Sequence, residues 1–155
     1  MKFLVHIPFV EALGCELLRF EDGEAEIALT PKDEHLNSWN VVHGGVLMTL
    51  LDVAMAHAAR SVGVSSTQAA RAAAAAGPDP RGVVTVEMKT SFMRPGEGRV
   101  VAKGKLLTQT HTLAFCEGSL FDASGALLAH ATGTFKYLRA LPVGERRLKR
   151  LNASD

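Results

Sequence analysis

From Gly44 to about Ser61 the chain reads GVLMTLLDVAMAHAARS, rich in leucine, methionine and alanine and free of proline. That composition predicts one long helix. It is apolar almost all round, and such a helix is buried. Downstream the period changes to two. Val84, Val86, Met88 and Phe92 alternate with Thr85, Glu87, Lys89 and Ser91, which predicts a strand over residues 83–94. Further strands are expected over residues 99–111, 113–122 and 126–138. Turns at Pro95-Gly96-Glu97-Gly98 and Ser124-Gly125 separate them. Upstream, residues 9–14 suit a short helical turn ended by Gly14. Two runs that can alternate flank Asp22-Gly23, a hairpin signal, and residues 31–42 are rich in turn formers and read as a loop. One long helix between a hairpin and a run of antiparallel strands is an α+β arrangement. The helix is too apolar for one sheet face to cover. A strongly curved sheet, or a second copy of the chain, would cover the rest.

The length of 155 residues fits one domain with one core. Its bounds are expected at residues 1–140, followed by a basic tail at 141–155. From Arg139 onward five basic residues face two acidic ones. Such a tail is either a solvated, frayed terminus or an arm that meets phosphates. The net charge of +1 excludes a strong general attraction to nucleic acid. Two cysteines, Cys15 and Cys116, make no disulfide framework, so a reducing, cytoplasmic compartment is the simpler expectation. The apolar N-terminus is broken by His6 and Pro8 and does not read as a signal peptide. The longest apolar stretch, residues 41–59, contains His43, Asp52 and His57 and is too polar for a membrane span. Residues 64–82 differ from their surroundings. An alanine run there is stopped by Gly77, Pro78 and Pro80, which suggests a surface insert, partly helical or mobile. His111 and His130 have no metal-ligand spacing, and no phosphate-cradling glycine motif is present, so no metal or redox cofactor is implied.

Two features carry candidate chemistry. Asp52 sits mid-helix among Leu50, Leu51, Val53, Ala54 and Met55. A carboxylate there is desolvated and its pKa is pushed up. It is either a satisfied structural acid or a base or nucleophile lining a cleft. The second feature is His43-Gly44-Gly45 at the helix start. Glycines let another group approach the backbone, and the first helical turn offers free N–H groups and partial positive charge. That suits an oxyanion hole; equally, the glycines could only shape the turn while His43 caps the helix. Gly44 and Asp52 are eight residues apart, about 12 Å along one helix. Both can serve one carbonyl only if they come from different copies, as two antiparallel helices at a twofold axis would allow. His57, five residues after Asp52, reads as structural or surface. Cys116 reads as a small core residue.

The run from Asn37 through His43-Gly44-Gly45 to Leu51-Asp52-Val53-Ala54 resembles the signature of hotdog-fold thioesterases of the PaaI type. Thr85 to Pro95 and the closing strand of residues 125–137 also resemble the family. The resemblance implies a hotdog fold, one long central helix wrapped by a curved antiparallel sheet, and an acyl-CoA thioesterase. It implies that Asp52 activates water or attacks the thioester, that the Gly44 N–H polarises the carbonyl, and that His43 supports that loop. By the same matching Asn37 orients water or substrate, Thr85 holds the water, and Gly45 and Arg94 meet the substrate. The implied partner is the acyl-CoA substrate alone, with neither nucleic acid nor membrane, in a homodimer or a tetramer built from two dimers. Asn40 stands at the family's usual glycine position, and asparagine tolerates the left-handed conformation better than most residues. The insert is longer than is usual, which leaves the substrate class open. A non-catalytic acyl-CoA-binding hotdog protein is the alternative, though a binder has no need of a desolvated carboxylate. Hotdog hydratases use Asp/His or His/Glu arrangements not found in this chain.

Overall fold

Pro8 opens α1 (Pro8–Leu13), where a proline has no N–H to lose to the helix, and Gly14 ends it at φ 77°. The computed structural model describes Phe3, residues 5–64 and residues 82–138. Most of the expected insert, and the basic tail, lie outside the described residues. The hairpin of β1 (Glu16–Glu21) and β2 (Glu24–Leu29) turns at Asp22-Gly23, with φ of 40° and 83°. Two positive φ values match the right-handed twist of the flanking strands. A single 3₁₀ turn, Asp33–His35, interrupts the expected loop and leads to α2 (Gly44–Arg60). Four strands follow: β3 (Gly82–Phe92), β4 (Val100–Gln109), β5 (Leu113–Asp122) and β6 (Leu127–Leu138).

All six strands form one curved, unclosed antiparallel sheet in the order β1-β2-β4-β5-β6-β3. The hairpin therefore joins β4, and β3 crosses to the far edge. α2 lies in the concave face, where Leu50, Leu51 and Met55 meet Ile27, Leu120 and Phe135, all fully buried. Small residues let the helix sink into the sheet. Gly104 and Gly118 are cross-strand partners. A Cβ at Gly104 would stand 2.3 Å from the Ala54 carbonyl oxygen, and one at Gly118 would stand 3.1 Å from both Leu51 Cδ2 and Met55 Cγ. Glycine inside a strand marks such a close backbone approach.

The burial of α2 differs from the expectation. Its sheet-facing side is fully covered, but Met48 is exposed and Asp52 is half-buried. Gly44, Met48 and Asp52 repeat at i, i+4, i+8, so they line one stripe that a single chain leaves open.

β3 departs from simple alternation. Its register against β6 shifts between Thr85 and Glu87, so Val86 is an extra residue in a bulge. Thr85 pairs with the inward-facing Phe135, and Met88 with the inward-facing Gly133. Strict period two from Met88 would have turned Thr85 to the convex face with Glu87 and Lys89. The bulge turns it toward α2. Among the described residues no helix is long and apolar enough to cross a membrane.

Candidate active site

The segment before α2 is tied down by its own backbone. The Asn37 Oδ1 accepts hydrogen bonds from the N–H groups of Trp39 (2.9 Å) and Val41 (3.4 Å). The Asn37 N–H donates to the Val41 carbonyl, and the Asn40 N–H to the Asn37 carbonyl, each at 2.9 Å. Asn40 takes φ 60°, the left-handed conformation expected of the residue standing in for glycine. A bridge between Leu36 and Val42 closes the loop. The Val42 N–H donates to Gly96 and the His43 N–H to His35, at 2.9 and 2.8 Å. The helix therefore starts in a fixed place.

At that start the His43 Nδ1 accepts the Gly45 N–H at 2.9 Å, so His43 is the cap. This uses the Gly45 N–H internally. The Gly44 N–H has no acceptor among the described residues. It remains one of the orphan donors of the first turn and carries the partial positive charge of the helix end. The Phe92 ring stands beside Gly44: its Cε1 lies 3.6 Å from where a Gly44 Cβ would be.

Two turns further along α2, Asp52 meets Thr85 from β3. The Thr85 Oγ1 donates to the Asp52 Oδ1 at 2.7 Å. Burial pushes the Asp52 carboxyl above its ordinary range, and the Thr85 hydroxyl pulls part of the way back. One oxygen is thus engaged, and Oδ2 is the one left for chemistry. A half-buried carboxylate with raised basicity is suited to taking a proton from water or attacking an electrophilic carbon.

The structure brings Asp52 and Thr85 together, and His43, Gly44 and Gly45 together. It separates the two groups along one helix. Asn37 belongs with the second group, but its oxygen is committed to the turn, so the side-chain amide N–H groups are what it can offer. The Arg94 Nη1 donates to the Leu127 carbonyl at 3.0 Å, which fixes that exposed side chain beside β6. Sequence reasoning missed Met48, exposed on the helix between the two groups, and Phe92, exposed beside Gly44. The spacing of Met48, four residues from Gly44 and four from Asp52, was the available signal. Among the described residues no group of three or more His, Cys, Asp or Glu is arranged to hold a metal ion.

The sequence profile of the thioesterase superfamily matches residues 40–129, from the left-handed Asn40 to β6. The chain belongs to the thioesterase superfamily. Within the superfamily it is 28% identical over 142 residues to the medium/long-chain acyl-CoA thioesterase YigI of Salmonella typhimurium, covering 86% of this chain and 87% of that one. Among solved structures, a variant of phenylacetic acid degradation protein PaaI from Thermus thermophilus is 30% identical, with a TM-score of 0.68 over 85% of this chain and all of that one. The E. coli PaaI protein shares the fold, with a TM-score of 0.69 at 21% identity over 84% of this chain and 83% of that one. The expected hotdog architecture is therefore the observed one.

Proposed function

We propose that this protein hydrolyses acyl-CoA thioesters to the free acid and coenzyme A. The observation that carries the reading is the Asp52–Thr85 pair: a desolvated carboxylate with one oxygen hydrogen-bonded to Thr85 and no hydrogen bond to the other among the described residues. In the reaction Asp52 takes the proton of an attacking water as its oxygen bonds to the thioester carbon. Alternatively Asp52 attacks that carbon itself, and water then hydrolyses the anhydride. In either case the carbonyl oxygen gains charge, for which the Gly44 N–H is the donor, and the C–S bond breaks to release the CoA thiol. YigI is named a medium/long-chain thioesterase. Met48 and Phe92, exposed beside the site, offer an alkyl chain apolar surface of the kind that substrate needs.

Each site is built from two chains. Gly44 and Asp52 on one helix are about 12 Å apart, whereas both must act within ~3 Å of the reacting atoms. β3 supports a specific pairing. It is one of the sheet's two outer strands, with Thr85 beside Asp52 and Phe92 beside Gly44. If two β3 strands pair antiparallel with Thr85 opposite the partner's Phe92, the partner's Gly44 approaches Asp52. With the bulged Val86 left out of the register, the twofold axis then passes through Lys89, and two equivalent sites result.

The test is a pair of variants and their mixture, assayed by thiol release from a panel of acyl-CoA thioesters. Asp52→Asn should lower kcat by about 10²–10⁴-fold, the usual worth of a positioned base. It should keep the fold: a carboxyl whose folded pKa is raised weakens the fold as pH rises from the unfolded-state value, fully so above the folded one, so stability at pH 7 holds or rises in the amide. Asn37→Ala should also be inactive, because the loop before Gly44 loosens. Mixing the two should restore part of the activity, since one site of each mixed dimer carries neither change. Full activity in Asp52→Asn would refute the chemistry, and no recovery after verified subunit exchange would refute the sharing.

A further inference from the structure

Trp39 is 84% exposed, the most exposed large apolar side chain among the described residues. The exposure is not a loose end, because the loop that carries it is held by the Asn37 side chain and three backbone hydrogen bonds. Beside it lies a depression of about 420 Å³, lined by Pro31, Leu36, Trp39, Val41, Val42 and Glu97 among others. That volume is within the range of small-molecule sites, and its lining sets apolar side chains beside exposed polar atoms and a single charged group, a mixture that suits a flat, partly polar ring. Val42 also leads directly into His43 and Gly44, so the depression adjoins the helix start.

We propose that this depression is a subsite for the adenine ring of coenzyme A, with Trp39 as the stacking platform. The proposal rests on the acyl-CoA hydrolase reading. Charge selects the adenine end over the other parts of the substrate. The Glu97 carboxylate would repel the diphosphate and the ribose phosphate, and beside an alkyl chain it would have no partner. An adenine presents an exocyclic amino group that can donate to it, and a flat face that an indole covers. Lys32, next in sequence to Pro31 and joined to Glu34 by an exposed, 3.9 Å ion pair, is a cation for which a phosphate would compete.

The chain has one tryptophan, so its fluorescence reports this subsite alone. Titration with CoA or adenosine 3′,5′-bisphosphate should quench it to saturation, and titration with pantetheine should leave it unchanged. In kinetics, Trp39→Ala should raise KM for an acyl-CoA by about tenfold, the scale of one lost aromatic–base stack. It should leave kcat, and every constant for the matching acyl-pantetheine, as in the unaltered protein. Trp39→Phe should recover most of the KM. An equal loss on both substrates would overturn the proposal and assign Trp39 to the acyl group or the catalytic loop. A change in sedimentation with KM intact would overturn it in favour of a subunit interface, and absence of quenching would overturn it outright. If the unaltered protein hydrolyses neither substrate, the hydrolase reading fails, and the fluorescence titration still judges the adenine subsite.

Discussion

Asp52 was legible in the sequence because a carboxylate in the middle of an apolar helix is hard to miss. Thr85 was not legible from pattern: strict alternation from Met88 places it on the wrong face, and only the family resemblance drew attention to it. The resemblance assigned it to holding water. In the structure its hydroxyl donates to the carboxylate, which leaves its oxygen lone pairs as acceptors. That geometry has a measurable consequence for pH dependence. The hydrogen bond favours the ionised carboxylate and so lowers a pKa that burial raises. Thr85→Val keeps the shape and removes the donor, so the Asp52 pKa should rise. The acid limb of kcat/KM against pH should move to higher pH, and Thr85→Ser should move it back. An unshifted limb would mean that Thr85 acts on water or substrate and leaves the basicity of Asp52 alone.

At the scale of elements, local signals placed α1, the hairpin, α2 and all four later strands to within two residues of their observed bounds. Local signals do not carry strand order. β3 follows α2 in sequence yet lies at the far edge beside β6, because the closing strand, and not the hairpin, offers it a partner. The glycines at 104 and 118 were also passed over, although glycine inside an alternating strand is a sign of close backbone approach. They decide how deep α2 sits. Gly104→Ala would press a methyl group onto the Ala54 backbone, which cannot swing aside, and should destabilise the fold by about 3 kcal/mol, the upper end of overpacking. Gly118→Ala meets only the ends of Leu51 and Met55, which can shift, and should cost clearly less. Urea unfolding midpoints of the two variants test the order; equal midpoints would refute the seat.

For the whole molecule, His57 links stability to acidity. It is buried between Phe3 and Phe20, whose rings meet it edge-on, and its Nδ1 lies 2.8 Å from the Val53 carbonyl oxygen. Its Nε2 has no hydrogen-bond partner among the described residues. Burial, helped by the charge of Arg60, lowers its pKa from 6.5 to about 3. The folded ring is therefore neutral where the unfolded ring takes a proton. The associated stability is complete above pH 6.5 and is lost as pH falls toward 3, at roughly 1.4 kcal/mol per pH unit. His57→Leu should flatten that part of the stability–pH curve between about pH 6 and 4; an unchanged slope would place the acid sensitivity elsewhere. The bulge at Val86 has a different consequence, in how the molecule behaves in a crowd. An outer strand that is straight and partly apolar invites strand after strand to join it, the beginning of a fibril. A bulged strand has a kink that a random neighbour does not match. In the proposed pairing a twofold-related copy carries the same kink at the symmetry-related place along the antiparallel pair, so it matches where a straight strand does not, and neither of the two paired edges is then left free. In that pairing, the extra residue that aims a hydroxyl at Asp52 thus also limits growth at that edge to two copies.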